Sequence, residues 1–353
     1  MAKIITVTTP QNKYDITIDA NWIDSDKINE MIKGRKYLIV TDENVYSHYG
    51  NLLKQFDCVV LPVGEDTKSL KYFEKLIDML QDKQFNRSSV IVAFGGGVIG
   101  DLTGYVAASY MRGIHFIQIP TTMLSMVDSS VGGKVAINHP SAKNLIGAFY
   151  QPEAVYIDTA FLNTLTLKTL SDGMAEVIKY GLGFDRDLFN TLEGFDLNCL
   201  LMKENQETLL DIVKICCQIK ARVVGEDERD TSVRQLLNLG HTIGHAIEQY
   251  YQYKKYTHGQ AIAIGMVIKS RIALCEGRLD QKSLERVEHL FKQYQLPLEL
   301  DEPEVFKRIL EAIHLDKKST RTQIKWIRVD TIGSCQIEGL QYNDIIEKVE
   351  NLK

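Results

Sequence analysis

Apolar positions follow two different rhythms along the chain. Up to about residue 150, short apolar runs alternate with stretches of helical period, the pattern of an α/β layer fold. Residues 37–40 form one run, which ends in the helix-capping cluster Thr41, Asp42, Glu43 and Asn44. Residues 58–61 form a second, stopped by Pro62 and followed by Gly64, Glu65, Asp66, Thr67 and Lys68. Between 69 and 81, Leu70, Phe73, Leu76, Ile77 and Leu80 recur at helical spacing. Residues 90–94 read as a buried strand and 116–119 as another. Beyond residue 160 helical patterns dominate, at 170–181, 203–225, 234–251, 258–276, 282–294 and 304–314, with a late strand or hairpin at 324–329. The predicted architecture is an α/β nucleotide-binding domain over residues 1–158, followed by a mainly α-helical domain over 159–353. The cleft between two such domains is the natural place for chemistry.

Composition narrows the function classes. A chain of 353 residues suits two domains, and 24 glycines with 7 prolines are too few for a collagen-like or low-complexity protein. The net charge of −5 and pI near 6.0 give no global basic surface for nucleic acid or anionic lipid, although a local basic pocket stays open. No apolar stretch approaches the ~20 residues of a membrane span. The first nine residues lack a signal-peptide core, so the cytoplasm is the expected location. The six cysteines are scattered without a CxxC pair and read as reduced thiols.

Three segments carry candidate chemistry. Gly95, Gly96, Gly97 and Gly100, then Asp101, follow the strand at 90–94 and open a helix through Ser109. Such glycines admit a phosphate to backbone N–H groups at a helix N-terminus; they equally suit a tight turn with close helix packing. The pattern is neither GxGxxG nor a P-loop. Asp101 is either a helix-turn charge or a group recognising a cofactor hydroxyl or amide. Residues 120–144 read as a dense loop in which Lys134 and Lys143 lie among glycines and hydroxyls. That is either an anion site or a solvated surface loop, and Arg112 is placed to join it with its rigid fork.

The third segment is richer. His241 and His245 stand four apart on one helical face, a spacing for one metal, for one ligand plus a proton carrier, or for capping and core imidazoles. His258 opens the next helix, and Glu176 with Lys179 lies in an otherwise apolar one. Two histidines, one glutamate and an open position match a catalytic zinc site, while the lack of HExxH disfavours a zincin peptidase. Lys220, Asp227, Glu228, Arg229, Asp230, Arg234, Lys317 and Lys318 read as a charge run, more typical of a solvated helix end than of a site.

Together, residues 95–101, 112–113, 120–122, 128–134, 143–149, 176–181, 227–229, 237–245 and 258–259 resemble the 3-dehydroquinate synthase family of sugar-phosphate cyclases. The resemblance implies an α/β NAD-binding domain, then a helical metal-binding domain, in a cytoplasmic homodimer that binds neither nucleic acid nor membrane. It implies conversion of 3-deoxy-D-arabino-heptulosonate 7-phosphate to 3-dehydroquinate and phosphate. The steps are transient oxidation by NAD, phosphate elimination, re-reduction, ring opening and intramolecular aldol closure.

By the same resemblance, zinc or cobalt would be held by Glu176, His241 and His258. NAD would meet Asp42, Asn44, Glu65, Asp66, Thr67 and Lys68, then Gly96, Gly97, Val98, Ile99, Gly100 and Asp101. It would also meet Thr121, Thr122, Lys134, Lys143, Phe161, Leu162, Asn163 and Thr164. The small anionic sugar phosphate would meet Arg112, Asp128, Lys134, Lys143, Asn144, Lys179, Lys220, Arg234, Asn238 and Lys317, with His245 as proton relay. Asp230 departs from the family's usual Glu and shortens a side chain near Arg234; Ser232 and Val233 are also less usual. Three alternatives compete: a cyclase for another sugar phosphate, a metal-dependent polyol dehydrogenase, and a non-catalytic binding protein. Joint presence of Glu176, His241, His245 and His258 counts against the last.

Overall fold

The computed structural model describes residues 2–310 and 323–352. Contacts divide the chain into two units, Met1–Thr166 with Gln206–Arg229, and Leu167–Asn205 with Asp230–Lys353. The strands of the first unit are β1 (Lys3–Thr8), β2 (Lys13–Asp19), β3 (Tyr37–Asp42), β4 (Cys58–Leu61), β5 (Val90–Gly95), β6 (His115–Pro120), β7 (Lys134–His139), β8 (Ala142–Phe149) and β9 (Ala154–Asp158). Among the described residues seven of them form one sheet in the order β1-β2-β9-β6-β5-β3-β4, antiparallel only between β1 and β2.

β5 is buried at every position. A strand inside a parallel sheet is covered on both faces, which is why its sequence is a continuous apolar run. β1 alternates exposed and buried residues, as a strand with one wet face does. Leu38, Val40, Ile91 and Ala93 share a core with Leu102 and Val106 of the Gly97–Ser109 helix and with Leu76 and Leu80 of the Leu70–Asp82 helix. Gly104 permits that approach, since a Cβ there would stand 2.4 Å from Val135 Cγ1.

Strand order decides where ligands go. The chain passes from β3 outward to β4, then returns to β5 on the other side of β3. Such a reversal is a topological switch point, and open α/β sheets bind ligands beyond the carboxyl ends of the strands there. Register aligns those ends, with Asp42 level with Leu61 and Gly95 with Pro120.

Two expectations change. Residues 120–144 are not an open loop: they hold a π-helical turn, Ser125–Ser129, and the β7–β8 hairpin. The Gln206–Glu226 helix belongs to the first unit, where Cys217 Sγ donates to Met126 O at 3.3 Å and Lys3 pairs with Asp211 at 2.5 Å. The first unit therefore extends to Thr166 and takes back residues 206–229.

The second unit is mainly helical. Its longer helices are Leu167–Phe184, His241–Tyr250, His258–Cys275 and Gln281–Gln293, joined by the antiparallel hairpin β10 (Ile324–Thr331) and β11 (Ser334–Leu340). Ile243, Ile247, Ile264, Ile268, Trp326 and Ile345 share its core. The helical pattern at 234–251 is interrupted: a 3₁₀ turn, Val233–Asn238, is followed by Gly240 at φ +84° before the helix starts at His241. A Cβ at Gly240 would also lie 2.6 Å from Ile262 O. The pattern at 304–314 lies only partly within the described residues. Among those residues no helix is long and apolar enough to cross a membrane.

Candidate active site

In the first unit, Asp42, Asn44, Gly96, Gly97, Thr121 and Thr122 follow the carboxyl ends of β3, β5 and β6, around the switch point. Glu65, Asp66, Thr67 and Lys68 follow β4, and Asn163 and Thr164 follow β9. No side chain caps the Gly97–Ser109 helix at Gly96. Its first-turn N–H groups and its dipole are thus presented to an oxyanion. Cβ atoms at Gly96 and Gly97 would stand 3.2 Å from Thr122 Cγ2 and 3.2 Å from Ser129 Oγ, so backbone alone fills this cradle.

The packing reading of the glycine cluster holds at part of it. Ile99 and Gly100 are buried, and a Cβ at Gly100 would meet Gln118 Oε1 at 2.9 Å; these two seat the helix on the sheet. Phe161 and Leu162 are core residues, Phe161 packing on Tyr49 and Phe94 with ring centroids 4.8 and 5.3 Å apart. Asp42 is occupied as an N-cap, accepting from Val45 N at 2.9 Å. Buried Lys68 donates to both Asp101 and Asn144.

Lys220 reaches Asp128 Oδ1 at 2.6 Å and Asp128 O at 2.5 Å. Lys220, Asp227 and Arg234 are buried, so the solvated-helix-end reading fails for them. Lys134 is exposed at the start of β7 and Lys143 is half-buried on β8. Arg112 is not brought to the strand-end group. It is exposed in a left-handed turn (Met111 φ 51°, Arg112 φ 67°) that precedes β6, whereas Thr121 follows that strand. Six strand residues at ~3.3 Å each place the two about 20 Å apart.

In the second unit Glu176 is fully buried on the Leu167–Phe184 helix. Its Oε1 lies 3.2 Å from His258 Nε2 and 3.3 Å from His241 Nε2. A tetrahedral ion with bonds of ~2.0–2.1 Å has ligand–ligand edges of about 3.3–3.4 Å, so the donor set and its spacing fit zinc-type coordination. Burial alone pushes a carboxyl up, yet Lys179 at 2.5 Å and the two imidazoles hold Glu176 well below its ordinary value. Burial likewise opposes a charge on His258, but bonds to Glu176 and Glu248 push it up to about 10. His245 stands 5.3 Å ring to ring from His241 and 6.2 Å from His258. Although it is exposed, crowding by its surroundings and then its imidazole neighbours hold it down to about 4. Arg234 and half-buried Asn238 share the turn before Gly240, and Asp230 has a left-handed backbone, φ 58°. Lys317 and Lys318 lie outside the described residues.

The comparisons with known proteins establish the family and the fold. The 3-dehydroquinate synthase N-terminal profile matches residues 58–172 and the C-terminal profile residues 173–319. A 3-dehydroquinate synthase of Caldanaerobacter subterraneus is 42% identical over 353 residues, covering 97% of this chain and 98% of its own. The chain belongs to the 3-dehydroquinate synthase family. Its fold recurs in the 2-epi-5-epi-valiolone synthase of Streptomyces hygroscopicus, solved with NAD+ and Zn2+, at TM-score 0.85 and 23% identity over 98% of each chain. A 2-deoxy-scyllo-inosose synthase complexed with carbaglucose-6-phosphate, NAD+ and Co2+ gives TM-score 0.80 and 24% identity over 99% of each chain.

Beyond the residues expected from the 3-dehydroquinate synthase family, the structure adds Glu248, whose Oε2 lies 3.5 Å from His258 Nδ1. A carboxylate behind a ligating imidazole fixes its tautomer and aims the other nitrogen. Its signal was the spacing: seven residues after His241 is two helical turns on the same face.

Proposed function

We propose that the chain catalyses the 3-dehydroquinate synthase reaction, releasing phosphate from 3-deoxy-D-arabino-heptulosonate 7-phosphate and closing the carbocycle. The observation that carries this reading is that Glu176 Oε1 stands at a tetrahedral edge length, 3.3 and 3.2 Å, from His241 Nε2 and His258 Nε2, in a chain 42% identical to a curated synthase. When bound, NAD supplies a reversible hydride acceptor and zinc or cobalt a Lewis acid toward a substrate hydroxyl.

Each unit has its share of the work. The α/β unit takes NAD, with Gly96 and Gly97 offering N–H groups to the pyrophosphate and Asp101, Lys68 and residues 65–67 meeting its polar ends. Asp128, oriented by Lys220, and Lys134, Lys143 and Asn144 bind substrate hydroxyls and phosphate oxygens. In the helical unit Glu176, His241 and His258 hold the ion, and Glu248 aims His258. Lys179 offsets the charge of Glu176 and, with Arg234, Asn238 and Lys317, holds substrate anions. His245 carries the hydroxyl proton between substrate and solvent.

Arg112, at the amino end of its own sheet, meets a ligand at the carboxyl ends only when a second copy presents it, which supports a homodimer. A cytoplasmic location without nucleic-acid or membrane partners accords with the charge of −5 and a biosynthetic role. Phosphate release from the heptulosonate phosphate and from glucose 6-phosphate, compared with NAD and zinc present, tests the substrate. We expect at least a ~100-fold preference in kcat/KM for the former. The reverse preference would make the enzyme a different cyclase, and NADH growing with a simple polyol would make it a dehydrogenase.

A further inference from the structure

The β7–β8 hairpin breaks its register at one place. Ile137 faces Ile146 and His139 faces Ala142, so Asn138 alone stands opposite three residues, Lys143, Asn144 and Leu145. Irregularities of this kind re-aim side chains and free ladder groups for other partners. Here the Asn138 amide leaves the hairpin and donates to Lys68 O at 2.8 Å, making an isolated parallel bridge between Asn138 and Ser69. Its side chain is used at both ends. Nδ2 donates to Glu65 Oε1 at 2.8 Å, and Oδ1 accepts from Asn144 N at 2.9 Å. The amide orientation is fixed by chemistry, since a backbone N–H only donates and a carboxylate only accepts.

These bonds close a ring. Lys68 O meets Asn138, Asn138 Oδ1 meets Asn144, and Asn144 Oδ1 returns to Lys68 Nζ, which also holds Asp101, the fifth residue of the Gly97–Ser109 helix. Asn144 sits in the left-handed region, φ 55°, which asparagine tolerates better than most side chains. Asn138 Oδ1 holds its N–H there. The segment after β4 and the hairpin, far apart in sequence, are therefore tied together, with the Asn138 side chain bonded to both.

We propose that Asn138 is a positioning residue that sets the Glu65–Lys68 segment and Asn144 together, so that cofactor and substrate contacts are ordered by the same bonds. This rests on reading Lys68 as a cofactor contact and Asn144 as a substrate contact. With its bonds gone, each ligand must order its own segment on binding, and both affinities fall.

The test measures KM for NAD and for the heptulosonate phosphate, kcat and melting temperature in the metal-loaded enzyme. Variants are Asn138→Ala, Asn138→Asp, Lys68→Ala and Asn144→Ala. Asn138→Ala is expected to raise both KM values about five- to tenfold, the loss of one hydrogen bond on each side, with kcat within about twofold. Asn138→Asp keeps the acceptor for Asn144 N but turns a like charge on Glu65. Its sugar-phosphate KM should return to within about twofold of the parent while its NAD KM stays raised. A lowered melting temperature or kcat with both KM values unchanged in Asn138→Ala would make the residue merely structural and overturn the proposal. Unchanged NAD KM in Lys68→Ala, or unchanged sugar-phosphate KM in Asn144→Ala, would overturn the site reading, and the proposal with it.

Discussion

Replacing Gly259 by alanine sets two effects against each other. Gly259 is the second residue of the His258–Cys275 helix, and helix propensity alone favours alanine there by up to about 1 kcal/mol. The structure opposes it. A Cβ at this position would stand 2.0 Å from Asp172 O and 2.7 Å from Asp172 Oδ1. Ordinary carbon–oxygen contact needs more than 3 Å, so the helix start must move by over about 1 Å. That movement breaks the Gly259 N–H bond to Asp172 Oδ1, 2.6 Å long, and strains the Thr257–Gln260 capping box. A hydrogen bond to a charged acceptor is worth about 1.5–3 kcal/mol and overpacking costs about 1–3 kcal/mol. After the propensity gain, the net loss is about 1.5–5 kcal/mol. Because His258 is the preceding residue, the same shift pulls its Nε2 away from Glu176 Oε1, and zinc affinity should fall by about 10–100-fold, as when a metal site's supporting contacts are removed. Urea unfolding of the metal-free protein reads the first number, and zinc competition with a chelating dye reads the second. An alanine variant as stable as the parent, with unchanged zinc affinity, would refute the close approach.

Other perturbations address other links. His258→Ala should lower bound zinc from one ion per chain to below about a tenth, with activity lost; full activity at normal metal content would remove it from the ligand set. Lys220→Met leaves Asp128 Oδ1 and O without their ammonium and should cost about 1–3 kcal/mol in urea unfolding while raising the sugar-phosphate KM; a loss under about 0.5 kcal/mol contradicts the buried pairing. Glu153 lies 2.8 Å from Arg35 and 2.9 Å from His115, and despite partial burial these partners hold its carboxyl below the usual 4.5. Its stabilisation is present above about pH 4.5 and fades as pH falls through the lower folded value. Glu153→Gln should thus be less stable than the parent at pH 7, by under about 1 kcal/mol, with the gap closing in acid; a gap unchanged at pH 3 would contradict that sign.

Much of this was legible in the chain. The run at 90–94 reads as buried strand because a parallel strand covered on both faces needs apolar residues throughout. Glu176, His241 and His258 stood out because charged and imidazole side chains are costly on apolar helical faces unless paired or ligating. What escaped depends on distant partners. Val135, Ala136 and Ile137 are too short an apolar signal to announce a hairpin, and its register break is set by hydrogen bonds to residues 65–68. The break before His241 follows from Gly240 meeting Ile262 O, some twenty residues away in sequence. The Gln206–Glu226 helix has an apolar stripe, but a stripe does not say which sheet or helix it covers; Met126 and Asp128 decide that. Arg112 looked close to the lysines in sequence, yet one strand separates the two ends of β6.

The most direct measurement follows inorganic phosphate and absorbance at 340 nm together, with the heptulosonate phosphate, zinc and NAD held at a small fraction of the substrate. A cyclase that recycles its cofactor gives many phosphates per NAD with no lasting rise in absorbance. Phosphate release that stops at one turnover per NAD, or NADH accumulating in step with substrate loss, would contradict a redox-neutral cyclase.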